Sequence, residues 1–164
     1  MTSELTGPVE VVGTGLLGTS IALACRRAGL EVLLTDVAPE HVRTATGLGA
    51  GRVRRPDDRA QLVVVAVPPD HLADAITAAL LAGDAVVTDV GSVKAAPLAD
   101  VAGRVGPATL TRYVGSHPMA GSERSGPLAA SAALFYGRPC AGPPPQGAYP
   151  SAGDLVAALV RLGW

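Results

Sequence analysis

The sequence predicts an α/β fold: a doubly wound, mostly parallel sheet with helices on both faces. Three observations carry this. Short apolar runs alternate along the chain with helical stretches of about 10–13 residues, the rhythm of βαβ units. Residues 62–67 (LVVVAV) are apolar at every position, as a strand covered on both faces must be. Gly29 and Gly83 stand where helical stretches should stop.

In order, residues 9–13 (VEVVG) form a β-branched run that ends in glycine, and 16–28 place Leu16, Ser20, Leu23, Ala24 and Arg27 at helical spacing. Residues 31–35 (EVLLT) read as a second strand. Residues 39–46 read as a short helix opened by Pro39, whose fixed φ suits a first turn. After the strand at 62–67 come a helix over 69–81, a strand over 85–88, a helix over 93–102 and a strand over 112–115. The segment 138–150 is rich in Pro and Gly, and 151–162 reads as a last helix with Ser151 as its cap. Hydrophobic residues make up 48% of the 164, and a chain of this length buries about 68–70% of its unfolded surface. One domain over 1–164 is expected, without an interior linker.

Composition excludes several function classes. A net charge of −1 lacks the basic surplus of a nucleic-acid binder, and the short basic run Arg52, Arg54, Arg55 meets Asp57 and Asp58 at once, which reads as a solvated turn. Cys25 and Cys140 have neither metal-ligand spacing nor the number for a disulfide framework, so no metal is expected. No run of about 18 apolar residues suggests a membrane span, and the opening MTSELTGP lacks a signal-peptide layout. A cytoplasmic protein is the expectation.

The glycines Gly13, Gly15 and Gly18 spell GTGLLG directly after a strand and at the start of a helix. Gly13 permits the tight turn, Gly15 lets backbone approach a pyrophosphate, and Gly18 lets the helix pack closely on the strand. The helix start, with Leu16 and Leu17, then offers free N–H groups and the positive end of its dipole to phosphates. Asp36 ends the next strand 23 residues after Gly13, near the spacing of the acid that holds ribose hydroxyls. A plain strand-end turn residue is the other reading of Asp36. Together these features make the fold Rossmann-type and the expected cofactor NAD. An anionic Asp36, with no arginine at Val37 or Ala38, disfavours the 2′-phosphate of NADP.

Ligands of open parallel sheets sit beyond the carboxyl ends of strands, and three further segments lie there. Residues 66–70 (AVPPD) bring Val67 and Pro68 near the cofactor, with the prolines holding the loop extended. His71 and His41 read as surface residues. Residues 89–94 (DVGSVK) offer Gly91 for a sharp turn and Ser92 as helix cap, substrate contact or both; Lys94 reads more readily as a surface or ion-pairing cation than as a catalyst. Residues 115–126 (GSHPMAGSERSG) crowd polar and small residues after a strand, and Pro118 stiffens the loop that presents His117.

GTGLLG, AVPPD, DVGSVK and above all GSHPMAGSERSG together resemble the nucleotide-binding domain of the prephenate/arogenate dehydrogenases, enzymes of tyrosine biosynthesis. The likeness runs from about Val9 to Phe135 and more weakly to Trp164. It implies NAD-dependent oxidative decarboxylation of prephenate to 4-hydroxyphenylpyruvate, or of arogenate to tyrosine. By this resemblance His117 hydrogen-bonds the ring hydroxyl and takes its proton, Ser92 contacts that hydroxyl and His117, and Glu123 joins the active-site polar network. Family members continue into a helical domain that forms the homodimer and completes the substrate pocket, including an arginine for the substrate carboxylate. That domain has no counterpart in these 164 residues, so a truncated piece is favoured over a stand-alone domain. Arg112 and Arg124 read as surface or loop-structuring groups.

Two rivals remain. A β-hydroxyacid or 6-phosphogluconate-type dehydrogenase shares the glycine turn and a serine loop but leaves HPMAG unexplained. A non-catalytic NAD-sensing module fits the missing helical domain but not the polar crowding over 116–125.

Overall fold

Four strands of four residues each, Val9–Val12 (β1), Val32–Thr35 (β2), Leu62–Val65 (β4) and Val86–Asp89 (β5), make up most of the sheet, with β5 at one edge. A two-residue strand, Arg52–Val53 (β3), lies at the other edge. This computed structural model describes residues 4–91, 95–118, 140–141 and 150–162. The order is β3-β2-β1-β4-β5 and every pairing is parallel. In register, Val12 sits between Thr35 and Val65, so the ends of β1, β2 and β4 form one level edge.

Helices Leu16–Arg27 (α1) and Pro39–Gly47 (α2) link β1, β2 and β3. The expected helix over 69–81 divides into a single 3-10 turn, Pro69–His71, and Leu72–Ala82 (α3). Proline lacks the backbone donor and disfavours helical geometry in the residue before it, so Pro68 stays extended and regular helix begins later. Ala95–Arg104 (α4) and Pro107–Leu110 (α5) follow β5. The latter is a short helix that the sequence reading passed over, although Pro107 at its first turn signals it.

β4 separates two apolar cores, which is why all four of its residues are buried and its run is uninterrupted. Leu62 and Val64 join Val9, Val11, Ile21 and Cys25 on the α1 side, together with Ala152, Val156 and Leu159 of the last helix, Pro150–Arg161 (α6). Val63 and Val65 join Leu72, Ile76, Leu80, Val101 and Tyr113 on the α3 side. The buried face of α1 runs through Gly18, Ile21, Ala22 and Cys25 rather than through the expected Leu23 and Arg27. The close seat of Gly18 on the β1 turn sets that rotation.

Three local expectations are corrected. Residues 112–116 run beside β5 through three backbone hydrogen bonds, the last from Ser116, but only Tyr113 forms a bridge, with Val87. α6 begins at Pro150, which places Ser151 inside the first turn instead of at the cap. The basic run at 52–55 is not a free solvated turn. Arg52 bridges Glu31 and Asp58, and Arg54 reaches Glu10, so ion pairs fasten the edge strand β3.

His117–Pro118 (β6) pairs antiparallel with Cys140–Ala141 (β7), inside the Pro/Gly-rich segment. Among the described residues no helix is long and apolar enough to cross a membrane.

Candidate cofactor site

The turn after β1 uses its three glycines for three different physical reasons. Gly13 has φ +98°, a region that side chains rarely enter, and a Cβ there would fall 2.4 Å from the Ala66 carbonyl oxygen. A Cβ on Gly18 would fall 1.8 Å from the Gly13 carbonyl oxygen and 3.2 Å from the Ala66 Cβ. Helix, turn and β4 are thus in contact through missing side chains. Gly15 differs: a Cβ there meets nothing within 4 Å. Packing does not require glycine at 15, whereas close approach of a ligand to the backbone does.

Gly15 also stands at the N-cap of α1 with no side-chain cap, which leaves first-turn N–H groups available to an anion. No acidic residue lies in that first turn to compete with a phosphate.

Asp36, one residue past β2, faces this turn. Its Oδ2 accepts hydrogen bonds from the Thr14 amide at 2.7 Å and the Thr14 hydroxyl at 2.9 Å, and its Oδ1 accepts from the Ala38 amide at 2.8 Å. The last bond is the turn-residue role that the sequence left open, and it coexists with a side chain aimed at the glycine turn. Burial alone would raise the Asp36 pKa. The three hydrogen bonds and the nearby His41 outweigh burial and hold the pKa below its ordinary value. The carboxylate is therefore ionised at neutral pH and retains acceptor capacity on Oδ1.

These groups surround a cavity of about 740 Å³, within the range of small-molecule and cofactor sites. Gly13, Gly15, Leu16, Leu17, Asp36, Val67 and Pro68 line it. Gly18 lies behind the wall as packing, and Gly91 lies outside the lining, at the end of β5.

Sequence reasoning missed three residues here. Thr14 is fully buried and holds the Asp36 carboxylate. His41 and His71 both line the cavity, with His41 Nδ1 3.9 Å from Asp36 Oδ2; His71 is exposed, as its reading as a surface residue expects, and His41 is half-buried. The available signal was position: His41 lies in the first turn of the helix after the acid, and His71 lies three residues after Pro68 on the same sheet edge. A smaller cavity of about 400 Å³ borders Glu10, Arg54 and the alanine face of α3, and its Glu10 and Arg54 are already paired.

At the end of β5, Asp89 and Ser116 are both buried. The Gly91 amide donates to Asp89 Oδ2 at 2.9 Å, and the Tyr113 hydroxyl donates to Asp89 Oδ1. The Ser116 amide and hydroxyl both donate to the Asp89 carbonyl, at 3.0 and 2.9 Å. Burial, then the Asp89 charge and hydrogen bond, push the Tyr113 phenol well above its ordinary pKa, so it remains a donor. A Cβ on Gly91 would lie 2.5 Å from Leu72 Cδ1 and 3.0 Å from Asp89 Oδ2, which explains glycine at this turn by crowding. His117 opens β6 directly after Ser116. Ser92, Lys94, Glu123 and Arg124 lie outside the described residues. Arg112 is structural, donating to the carbonyls of Leu80 and Ala85 at 2.8 Å each.

Residues 21–159 match the family model for the prephenate dehydrogenase nucleotide-binding domain. The chain is 41% identical over 152 residues to a probable prephenate dehydrogenase, NovF, of Streptomyces niveus, an alignment covering 92% of this chain and 40% of that protein. It is 32% identical over 135 residues to the prephenate dehydrogenase of Lactococcus lactis, covering 77% and 38%. The crystal structure of prephenate dehydrogenase from A. aeolicus in complex with hydroxyphenyl propionate and NAD+ superposes with a TM-score of 0.85 at 27% identity, over 98% of this chain and 58% of that one. The chain thus spans about 40% of the length of the curated relatives it matches.

Proposed function

This chain belongs to the prephenate dehydrogenase family, in which it corresponds to the nucleotide-binding domain, and from that premise we propose that it binds NAD for the oxidative decarboxylation of prephenate or arogenate. The observation that carries the reading is the cavity of about 740 Å³ in which the glycine turn and the ionised Asp36 meet. The donor set fits a dinucleotide. The first turn of α1 and the open face of Gly15 suit the pyrophosphate, and Asp36 suits the ribose hydroxyls. NAD is preferred over NADP because a second anion beside Asp36 would be repelled.

Bound NAD would supply the hydride acceptor for the hydroxyl-bearing ring carbon. The chain's own part is acid–base chemistry and orientation. His117 hydrogen-bonds the ring hydroxyl and takes its proton; an imidazole, with an ordinary pKa near 6.5, is matched to that task at neutral pH. Ser92 touches the same hydroxyl and orients His117, and Glu123 completes the polar network. Loss of the ring carboxylate as CO2 lets the ring aromatise, which supplies the driving force. Positioning is then the protein's main contribution. In this reading residues 1–164 are the cofactor domain of a cytoplasmic enzyme. A helical domain supplies the dimer contact and the rest of the substrate pocket.

The test is NADH formation at 340 nm with prephenate and with arogenate. It is run on the chain alone and with the remaining segment of the Lactococcus relative added in trans. His117→Asn should lower turnover by about 10²–10⁴-fold, the range of a lost general base, while NAD affinity stays within twofold. A His117→Asn protein as active as wild type refutes the catalytic assignment. NAD binding with no turnover of either substrate in either format favours the sensing module.

A further inference from the structure

We propose that Asp89 is a positioning residue that, with Tyr113, holds Gly91 and Ser116, the residues immediately before Ser92 and His117 in the sequence. The inference rests on the catalytic reading of Ser92 and His117.

The geometry converges on one side chain and its own carbonyl. Gly91, immediately before Ser92, donates its amide to Asp89 Oδ2 at 2.9 Å. Ser116, immediately before His117, donates its amide and its hydroxyl to the Asp89 carbonyl at 3.0 and 2.9 Å. The two loops come from distant parts of the chain, and the residue preceding each catalytic group is tied to the same amino acid.

Asp89 itself has little freedom. It is the last residue of β5, is fully buried, pairs in register with Val65, and receives the Tyr113 hydroxyl on Oδ1. Tyr113 is 2% exposed and packs into the α3-side core. The carboxylate is therefore anchored from the core rather than from solvent. Thr88 and Ser116 place their hydroxyl oxygens 3.2 Å apart, a further link between β5 and the second loop. Leu72 closes on Gly91 from the other side, so that turn is held both by a hydrogen bond and by packing.

A buried carboxylate is a costly way to end a strand unless its hydrogen bonds are needed. A strand-to-helix turn alone could be capped by serine or asparagine. What the carboxylate adds is simultaneous acceptance from a loop amide and from a core phenol, which fixes the loop relative to the sheet. A displacement near 1 Å at a reacting group can lower a rate by about 10²-fold, so this restraint matters for catalysis through the loops it holds. The cofactor cavity does not include Asp89, Tyr113 or Ser116, so NAD affinity is separable from the effect.

The experiment compares wild type with Asp89→Asn and Tyr113→Phe. The chain has three histidines, and their imidazole Cε1–Hε1 NMR signals are read with His117 assigned by its loss in His117→Asn. The His117 signal should move in both variants, while those of His41 and His71, which line the cofactor cavity, stay in place and the NAD Kd stays within twofold. In the turnover assay above, kcat should fall about 10- to 100-fold with KM within twofold, the pattern of an interaction realised only in the transition state. An unmoved His117 signal in both variants overturns the proposal. So does a joint shift of all three histidines with weakened NAD binding, which marks general loosening. If Asp89→Asn fails to fold, Tyr113→Phe alone decides by the same criteria. If wild type turns over neither substrate but the His117 signal moves selectively, Asp89 positions the loop and the catalytic reading is what fails.

Discussion

Substituting alanine for Gly15 and, separately, for Gly18 separates ligand binding from packing within the six residues of GTGLLG. At Gly18 the added Cβ falls 1.8 Å from the Gly13 carbonyl oxygen, about 1.2 Å inside the 3.0 Å below which such contacts do not occur. The obstacle is backbone, with Ala66 Cβ behind it, so no side-chain rotation relieves it. Overpacking costs about 1–3 kcal/mol, and a backbone clash belongs at or above the top of that range. Since about 1 kcal/mol shifts Tm by roughly 2–4 °C at this chain length, Gly18→Ala should melt at least 6 °C lower. At Gly15 the Cβ meets nothing, and φ −78°, ψ −156° suits alanine. A small loss of N-cap preference is offset by lower unfolded-state entropy, leaving stability within about 0.5 kcal/mol. In the proposed binding mode, the methyl group stands where the pyrophosphate approaches. Loss of even one hydrogen bond to a charged group, about 1.5–3 kcal/mol, weakens NAD by roughly 10- to 100-fold. Differential scanning fluorimetry and calorimetric titration read the two quantities. Wild-type NAD affinity in Gly15→Ala, or a wild-type Tm in Gly18→Ala, would refute the division of labour between these glycines.

Three further outcomes follow from the same contacts. The pKa of Asp36 is lower in the folded protein than the unfolded value near 3.9, so its stabilising contribution is complete above that value and is lost as pH falls through the folded pKa. The Tm difference between wild type and Asp36→Asn should accordingly be present at pH 7 and shrink below about pH 4; a difference independent of pH contradicts the assignment. Burial pushes the Cys25 thiol up to about 12, so peptide mass spectrometry should find it unalkylated by iodoacetamide at pH 8 in native protein and modified in urea, and equal labelling in both states would show the thiol to be accessible. Arg112→Met removes the donors to the Leu80 and Ala85 carbonyls, which should cost about 2 kcal/mol and lower Tm by roughly 4–8 °C without changing NAD affinity; an unchanged Tm argues that water replaces the guanidinium at no cost.

What the sequence disclosed follows the range of the forces involved. The central strands were legible because burial on both faces leaves no polar position in LVVVAV, and the glycine turn was legible because each glycine answers a local steric demand. β3 was not, since a two-residue strand of one arginine and one exposed valine carries no apolar run, and Arg52 is held there by reaching Glu31 and Asp58. α5 is too short for periodicity to show. The same limit governs the site. Asp36 could be anticipated from its spacing, but its bond to the Thr14 hydroxyl joins residues 22 apart, and the meeting of Tyr113 with Asp89 spans 24. His41 and His71 carry no local mark that distinguishes a cavity wall from open surface. Only the folding of β1, β2 and β4 to one level edge brings them to the cavity.

The proposed reaction makes NADH and CO2 from the same substrate molecule. Measuring both together, NADH at 340 nm and CO2 by trapping from carboxyl-labelled prephenate and from labelled arogenate, therefore tests the functional claim most directly, with the chain and the partner segment supplied as above. The account predicts equal amounts of the two products from at least one substrate and their joint loss in His117→Asn. NADH without CO2 would contradict it in favour of a simple hydroxyacid oxidation, and neither product from either substrate would contradict it outright.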